Sequence, residues 1–267
     1  MHNPIITLTT DFGYRDPFVG IMKGVILDIN PAATIVDITH DIGPQNIMEA
    51  AIAIEMSFKS FPPESIHVVV VDPGVGSARR PILVTTDYYY FVGPDNGVFS
   101  LIYNLSESLN VIHITAEHYF LPQRSSTFHG RDIFAPVAAW FSKGIDISKF
   151  GDPITDYATI PVPAPVLVEK NILEGEVIYI DRFGNAITNI KTKNIDELCS
   201  TPEGKPRALV KGIEVPLKNH YSEAEDEGLY SLINSFGYLE LFVYRGSTSS
   251  NFGISIGEKV GVVLAGV

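Results

Sequence analysis

The chain has 267 residues, 45% of them hydrophobic, which is enough for a real core in one large domain or two modest ones. Its formal charge of -12 argues against a nucleic-acid backbone or an anionic membrane as partner, because both want clustered Lys and Arg. The single cysteine, Cys199, cannot form an internal disulfide, and neither a basic leader nor a run of about 18 apolar residues is present, so a soluble cytoplasmic protein is expected.

In chain order, the β-branched run at 5–10 predicts a strand, and Phe18, Met22, Val25, Ile26 and Ile29 recur at helical spacing. Strands are expected again at 34–38, at 66–71 and in a pair around 82–86 and 88–92. Ile47, Ala50, Ala51, Ile54 and Phe58 mark a helix between them, and another is predicted at about 132–142. This alternation implies an α/β unit with a mostly parallel sheet covered by helices on both faces, and the four valines at 68–71 fit a central strand. Three prolines in Pro161–Pro165 end the pattern, and residues 159–166 read as a linker between domains at 1–158 and 167–267. Beyond it, short strand-like runs at 175–180, 186–190, 208–215, 238–243 and 259–264 predict a small all-β, barrel-like domain.

Asp11 stands where the first strand hands over to a helix, the edge at which open parallel sheets hold ligands. Asp16 precedes Pro17 and reads first as an N-cap with Pro at N1, although one carboxylate oxygen would remain for an ammonium group. Asp72 ends the central strand at Asp72-Pro73-Gly74-Val75-Gly76, a sequence that is equally a common turn. His129 falls in a loop before a helix, where a general base is exposed to its substrate, whereas Asp132 is expected to cap or open that helix. Asp181-Arg182-Phe183-Gly184-Asn185 reads as a hairpin turn, yet Phe183 also offers a stacking face and Asn185 a donor and an acceptor, as a purine requires. Ser235 lies in a further loop, able to bind a carboxylate or only to fold the turn. There is no P-loop, no Gly-x-Gly-x-x-Gly opening a helix, no His-Glu-x-x-His and no Gly-x-Ser-x-Gly. The histidines are scattered and His40-Asp41 is too weak a pair to count, so no catalytic metal and no cofactor are expected.

An ordered set of short motifs resembles one known family, the S-adenosylmethionine hydroxide adenosyltransferases, related to fluorinase and chlorinase enzymes. The motifs are Thr10-Asp11-Phe12-Gly13 with Asp16, Ile42-Gly43-Pro44-Gln45-Asn46, and Val71 to Gly76 with Arg79-Arg80. They continue with Gly93-Pro94-Asp95-Asn96-Gly97, Thr127 to Phe134, Asp181 to Asn185, and Ile233 to Tyr238. The resemblance implies an α/β domain, a C-terminal β-barrel and a homotrimer with sites at subunit interfaces. It also implies a reaction, S-adenosylmethionine plus water giving adenosine plus methionine. On this resemblance Asp72, Arg79 and His129 are catalytic, Asp11 holds the ribose hydroxyls, Asp16 the methionine ammonium and Ser235 the methionine carboxylate. Phe183 and Asn185 of a neighbouring subunit would meet the adenine, Asp181 would support their loop, and Phe128 would join the substrate contacts. Halide-using relatives carry Tyr and Thr where Asp72 and Arg79 stand, and Tyr-Ser where His129-Gly130 stand, so water is the favoured nucleophile. The segment 240–251 departs from the family's adenine-edge loop.

Three other readings compete. The chain would be a sensor that binds S-adenosylmethionine or adenosine without turnover, a halide-using 5'-halo-5'-deoxyadenosine synthase, or a metal-dependent phosphoesterase using Asp11, Asp72 and His129. The last leaves Phe183, Asn185 and Ser235 without a purpose.

Overall fold

The β-branched run at the start forms β1 (Ile5–Thr10), and the helix-spaced apolar residues after it form α1 (Phe18–Ile29). The computed structural model describes residues 3–169, 172–200 and 205–265. Contacts divide the chain into two units, Met1–Pro161 and Val162–Val267. The first unit continues with β2 (Thr34–Thr39), α2 (Ile47–Ser57), β3 (Ile66–Val70), β4 (Pro81–Thr85), β5 (Tyr90–Pro94) and the single turn α3 (Ser100–Tyr103). It ends with β6 (Asn110–Ile114), α4 (Ala135–Ser142) and β7 (Gly151–Pro153).

These seven strands make one sheet in the order β2-β1-β3-β5-β4-β6-β7. Parallel pairing joins β2, β1, β3 and β5, while β4 and β7 run antiparallel to their neighbours, and five of the seven strands therefore run one way. Alternate residues of the central strands feed two cores, as the period of two requires. Val68, Val70 and Leu83 pack with Met22, Ile26, Val137 and Ala138 of α1 and α4. On the other face Val69, Val71, Ile82 and Val84 pack with Ala50, Ile54 and Ile102 of α2 and α3. Thr10 is opposite Val70 in the β1–β3 register, so Asp11 and Asp72 leave the sheet at the same edge.

One predicted helix is divided. Gly130–Phe134 forms a π-helical turn before α4 begins. Pro136 has no N–H to give the carbonyl of Asp132, which instead accepts from Leu121 N at 2.9 Å.

The second unit contains β8 (Val166–Glu169), β9 (Ile172–Ile180), β10 (Ala186–Lys191), α5 (Thr192–Cys199), β11 (Lys205–Val210), β12 (Ile213–Val215), β13 (Leu229–Ile233), β14 (Tyr238–Val243), α6 (Thr248–Phe252) and β15 (Lys259–Ala265). The strands pair antiparallel in the order β12-β11-β15-β9-β10-β14-β13, with β8 added to β9. Just after β12 the chain reaches β13, where Ser231 N donates to the Pro216 carbonyl (3.0 Å) and Lys218 N to the Ser231 carbonyl (2.7 Å). The sheet is thereby nearly closed into the expected barrel around Val177, Ile190, Leu241, Val260 and Val262. The single run expected at 208–215 is a hairpin, because Lys211 and Gly212 both take positive φ, 50° and 74°, as a two-residue turn of this hand demands. Among the described residues no helix is long and apolar enough to cross a membrane.

The central sheet leaves no room at Gly93 in β5, where a Cβ would stand 2.6 Å from the Val69 carbonyl oxygen and 2.9 Å from the Phe99 ring. Gly93→Ala is expected to lower stability by about 1–3 kcal/mol through this overpacking. Urea unfolding followed by fluorescence checks it, and an unchanged midpoint would contradict this packing.

Candidate active site

Beyond β3 the chain leaves the sheet edge through Asp72 and returns through Arg79 in a loop tied to itself. Val75 N donates to the Asp72 carbonyl (3.2 Å), Ser77 Oγ donates to the Gly74 carbonyl (2.7 Å), and Arg79 N donates to Ser77 Oγ (3.2 Å). The loop folds Arg79 onto Asp72, with Nε donating to both carboxylate oxygens at 2.9 Å and Nη2 to Oδ2. The two side chains are only 8% and 5% exposed, so this charge-assisted pair is little screened. Arg79 Nη2 also lies 2.7 Å from His129 Nδ1.

A guanidinium donates and never accepts, so His129 Nδ1 must hold a lone pair and the ring proton sits on Nε2. Burial pushes the His129 pKa below its ordinary value and the Arg79 charge pushes the same way, against an upward pull from Asp72. The imidazole is therefore neutral at pH 7. Arg79 lies over the Phe134 ring, 5.2 Å from its centroid, and its buried Nη1 has no hydrogen-bond partner among the described residues.

Two glycines make this meeting possible. Gly76, at φ 78°, comes so close to Ser126 that a Cβ would stand 2.4 Å from the Ser126 carbonyl oxygen. Gly130 brings the His129 backbone against β3, where a Cβ would be 3.4 Å from Val70 and 3.2 Å from Met22. Asp132 corrects the capping expectation. It is buried in the π turn, and its carboxylate accepts from Ser125 N (2.7 Å) and Arg131 Nε (2.6 Å) instead of a helix N–H. The π turn bends the chain so that this carboxylate braces the loop carrying His129.

Asp11 stands at the end of β1, and its Oδ2 accepts from Gln45 N at 2.8 Å. Its Oδ1 has no partner among the described residues. Phe12, Phe18 and Phe128 meet edge to face, with centroids 5.3–5.9 Å apart, and Phe128 also carries Arg131 over its ring at 5.2 Å. Asp16 does not cap α1: the helix begins at Phe18 after Pro17, with no side-chain cap, and Asp16 is exposed in the preceding turn. Pro17 occupies the position before the helix and cannot itself provide a side-chain acceptor.

In the second unit, Asp181 organises the β9–β10 hairpin. Its Oδ1 accepts from Phe183 N (2.9 Å) and Asn185 N (2.8 Å), and its Oδ2 from Asn185 Nδ2 (3.1 Å). One amide hydrogen of Asn185 is thus committed, while Phe183 is 79% exposed and offers a free ring face. The departing segment 240–251 supplies support here, because Thr248 N and Oγ1 both donate to the Gly184 carbonyl at 2.8 and 2.7 Å. Ser235 is exposed in a loop tied by Asn234, whose Oδ1 accepts from Phe236 N (3.0 Å) and Tyr238 N (3.1 Å). Beneath it, buried Glu240 accepts from Asn234 Nδ2 (3.1 Å) and Tyr221 Oη (2.6 Å), and burial raises its pKa.

The residue pattern gave no sign of Glu240, Tyr221 or Thr248 as supports: Tyr221 and Thr248 reach partners 19 and 64 residues away, and Glu240 stands in the apolar strand that follows its loop. Among the described residues no three His, Cys, Asp or Glu side chains converge as a metal would need. Arg79 between Asp72 and His129 would in any case set a fixed positive charge against a cation held by that pair.

The chain matches the SAM hydroxide adenosyltransferase N-terminal domain over residues 6–151 and the C-terminal domain of the same family over 175–261. It is 36% identical to an (R)-S-adenosyl-L-methionine hydrolase of Methanocaldococcus jannaschii, covering 97% of this chain and 95% of that one. A fluorinase of Nocardia brasiliensis is 26% identical, covering 97% of each chain. The crystal structure of an uncharacterized conserved protein from Thermotoga maritima superposes with a TM-score of 0.89 at 33% identity, over 97% of this chain and 99% of that one.

The ring of His129 is expected to titrate below about 6.5 and to move upward in Arg79→Met, which removes a repelling charge. NMR titration of the imidazole resonances measures both. A midpoint at or above that value in the unsubstituted protein would contradict the neutral, Arg79-bound ring.

Proposed function

The chain belongs to the SAM hydroxide adenosyltransferase family, and from that premise we propose that it hydrolyses S-adenosyl-L-methionine to adenosine and L-methionine. The observation that carries the proposal is a buried arginine bonded at once to a carboxylate and to a neutral imidazole at the ligand edge of the sheet. In the reaction a water oxygen forms a bond to the ribose 5'-carbon as the carbon–sulfur bond breaks. The bonding pair returns to sulfur, and methionine leaves as a neutral thioether that needs no acid. The water proton alone requires an acceptor.

In our reading that acceptor is Asp72. His129 Nδ1 is occupied by Arg79, so its free Nε2–H can only donate and orient the water, whereas a carboxylate has about four lone-pair sites for three Arg79 contacts. Asp11 Oδ1 is assigned to the ribose hydroxyls, Asp16 to the methionine ammonium, Ser235 to the methionine carboxylate, and Phe183 and Asn185 to the adenine. Asp181 supports the adenine loop, and Phe128 lies with Phe12 and Phe18 in an apolar patch suited to excluding water from the reacting carbon. A homotrimer with sites at subunit interfaces and a cytoplasmic location complete the proposal.

Chromatography of the products formed from S-adenosylmethionine, with and without excess chloride or fluoride, tests it. Adenosine is expected in every case, and Asp72→Asn is expected to lower kcat by at least about a hundredfold while substrate still binds. A halo-nucleoside would favour the synthase reading, and binding without product the sensor reading.

A further inference from the structure

His40 is a buried residue that the proposed chemistry does not use. It follows β2, its side chain is wholly inaccessible, and its two ring nitrogens and its carbonyl all face groups around the turn that bears Asp11. Phe12 N donates to Thr10 Oγ1 at 3.2 Å, bridging across Asp11, and Thr10 Oγ1 lies 2.8 Å from His40 Nδ1. Nε2 faces the Asp37 carboxylate, which can only accept, so the ring proton is placed on Nε2 and Thr10 Oγ1, while accepting from Phe12 N, donates to Nδ1. Nε2 stands 3.1 Å from Asp37 Oδ1, off hydrogen-bond alignment but at ion-pair distance. On the other side of Asp11, Gly13 N donates to the His40 carbonyl at 2.8 Å with Gly13 at φ 64°.

Asp37 is held in turn. Lys23 Nζ donates to its Oδ2 at 2.6 Å and Tyr14 Oη to the same oxygen at 3.2 Å, while the Tyr14 ring meets the His40 ring edge on, 5.1 Å between centroids. The same stretch of chain goes on to Gln45, whose N–H fixes Asp11 Oδ2. Residues 10, 12 and 13 are thus fastened to His40 directly or through one hydroxyl, and residue 14 to its ring and to Asp37. Asp11 thus stands in a turn whose neighbours on either side are bound.

We propose that His40 is a positioning residue for substrate recognition, setting through Thr10 and the Gly13 backbone the direction of the Asp11 carboxylate toward the ribose hydroxyls. The inference rests on the assignment of Asp11 to those hydroxyls. His40 touches no substrate itself. Its action predicts a loss in ribose recognition with little change in the chemical step, because the hydrogen bonds of the Thr10–His40 pair are separate from those that join Asp72, Arg79 and His129.

The test compares kcat and KM for S-adenosylmethionine and for its 2'-deoxy analogue in the full-length protein and four variants, with thermal unfolding as a check on each fold. Asp11→Ala is expected to reduce discrimination between the two substrates by at least about tenfold, the usual consequence of losing a charged hydrogen-bond partner. His40→Leu, and Thr10→Val as an independent variant should His40→Leu not fold, are expected to raise KM for the natural substrate about tenfold with kcat within about twofold, and to reduce the same discrimination. His40→Asn, which keeps an amide atom where Nδ1 stands, restores discrimination to within about threefold of the unsubstituted protein. Folded His40→Leu or Thr10→Val with unchanged discrimination, alongside an impaired Asp11→Ala, overturns the role of His40 alone. Unchanged discrimination in Asp11→Ala overturns the ribose assignment and this inference with it.

Discussion

The buried contact of Arg79 with both Asp72 and His129 is the constraint on which the site depends. Removing one partner of such a pair leaves an uncompensated charge out of water, at a cost of about 3–5 kcal/mol. The surrounding backbone is shaped to keep the three together. Gly76 lets one loop touch Ser126, Gly130 lets the other touch β3, and the π turn caused by Pro136 carries Asp132 into a brace for the His129 loop. The contact also decides the tautomer of His129, and with it the division of labour between a ring that orients and a carboxylate that accepts.

Much of the frame was legible because it follows from periodicity. The valines at 68–71 divide between two cores, as a strand covered on both faces must, and Asp11 and Asp72 emerge at one edge because Thr10 pairs with Val70. What periodicity cannot carry was lost. The Lys211-Gly212 turn hid in an apolar run, and the π turn looked like the start of an ordinary helix. The short strands β6 and β7 and the helices α5 and α6 carry patterns too brief to stand out from loops.

Within the site, the residues that meet ligand in our reading were legible as motifs, and those that hold them were not. His40 was set aside as half of a weak His-Asp pair, yet it grips the Asp11 turn from thirty residues away. Glu240 reads as one polar residue in an apolar strand, and only its bonds to Asn234 and Tyr221 connect it with the Ser235 loop. Asp16 and Asp132 both carry a capping signal in the sequence, Asp16 beside its reading as an ammonium ligand, and neither accepts a cap bond: Pro17 displaces the first from the helix, and Ser125 and Arg131 take up the second. Capping signals in sequence mark where an acidic residue is tolerated, and the tertiary partner decides its use.

The central claim is that a water held by this trio attacks carbon directly, in one in-line step. The stereochemistry at the 5'-carbon measures it: S-adenosylmethionine made with deuterium in one of the two 5'-positions is hydrolysed and the adenosine examined by NMR. Inversion is the predicted result. Retention would require two displacements through a group on the protein, with the Asp72 carboxylate as nucleophile in place of proton acceptor, and would contradict the account.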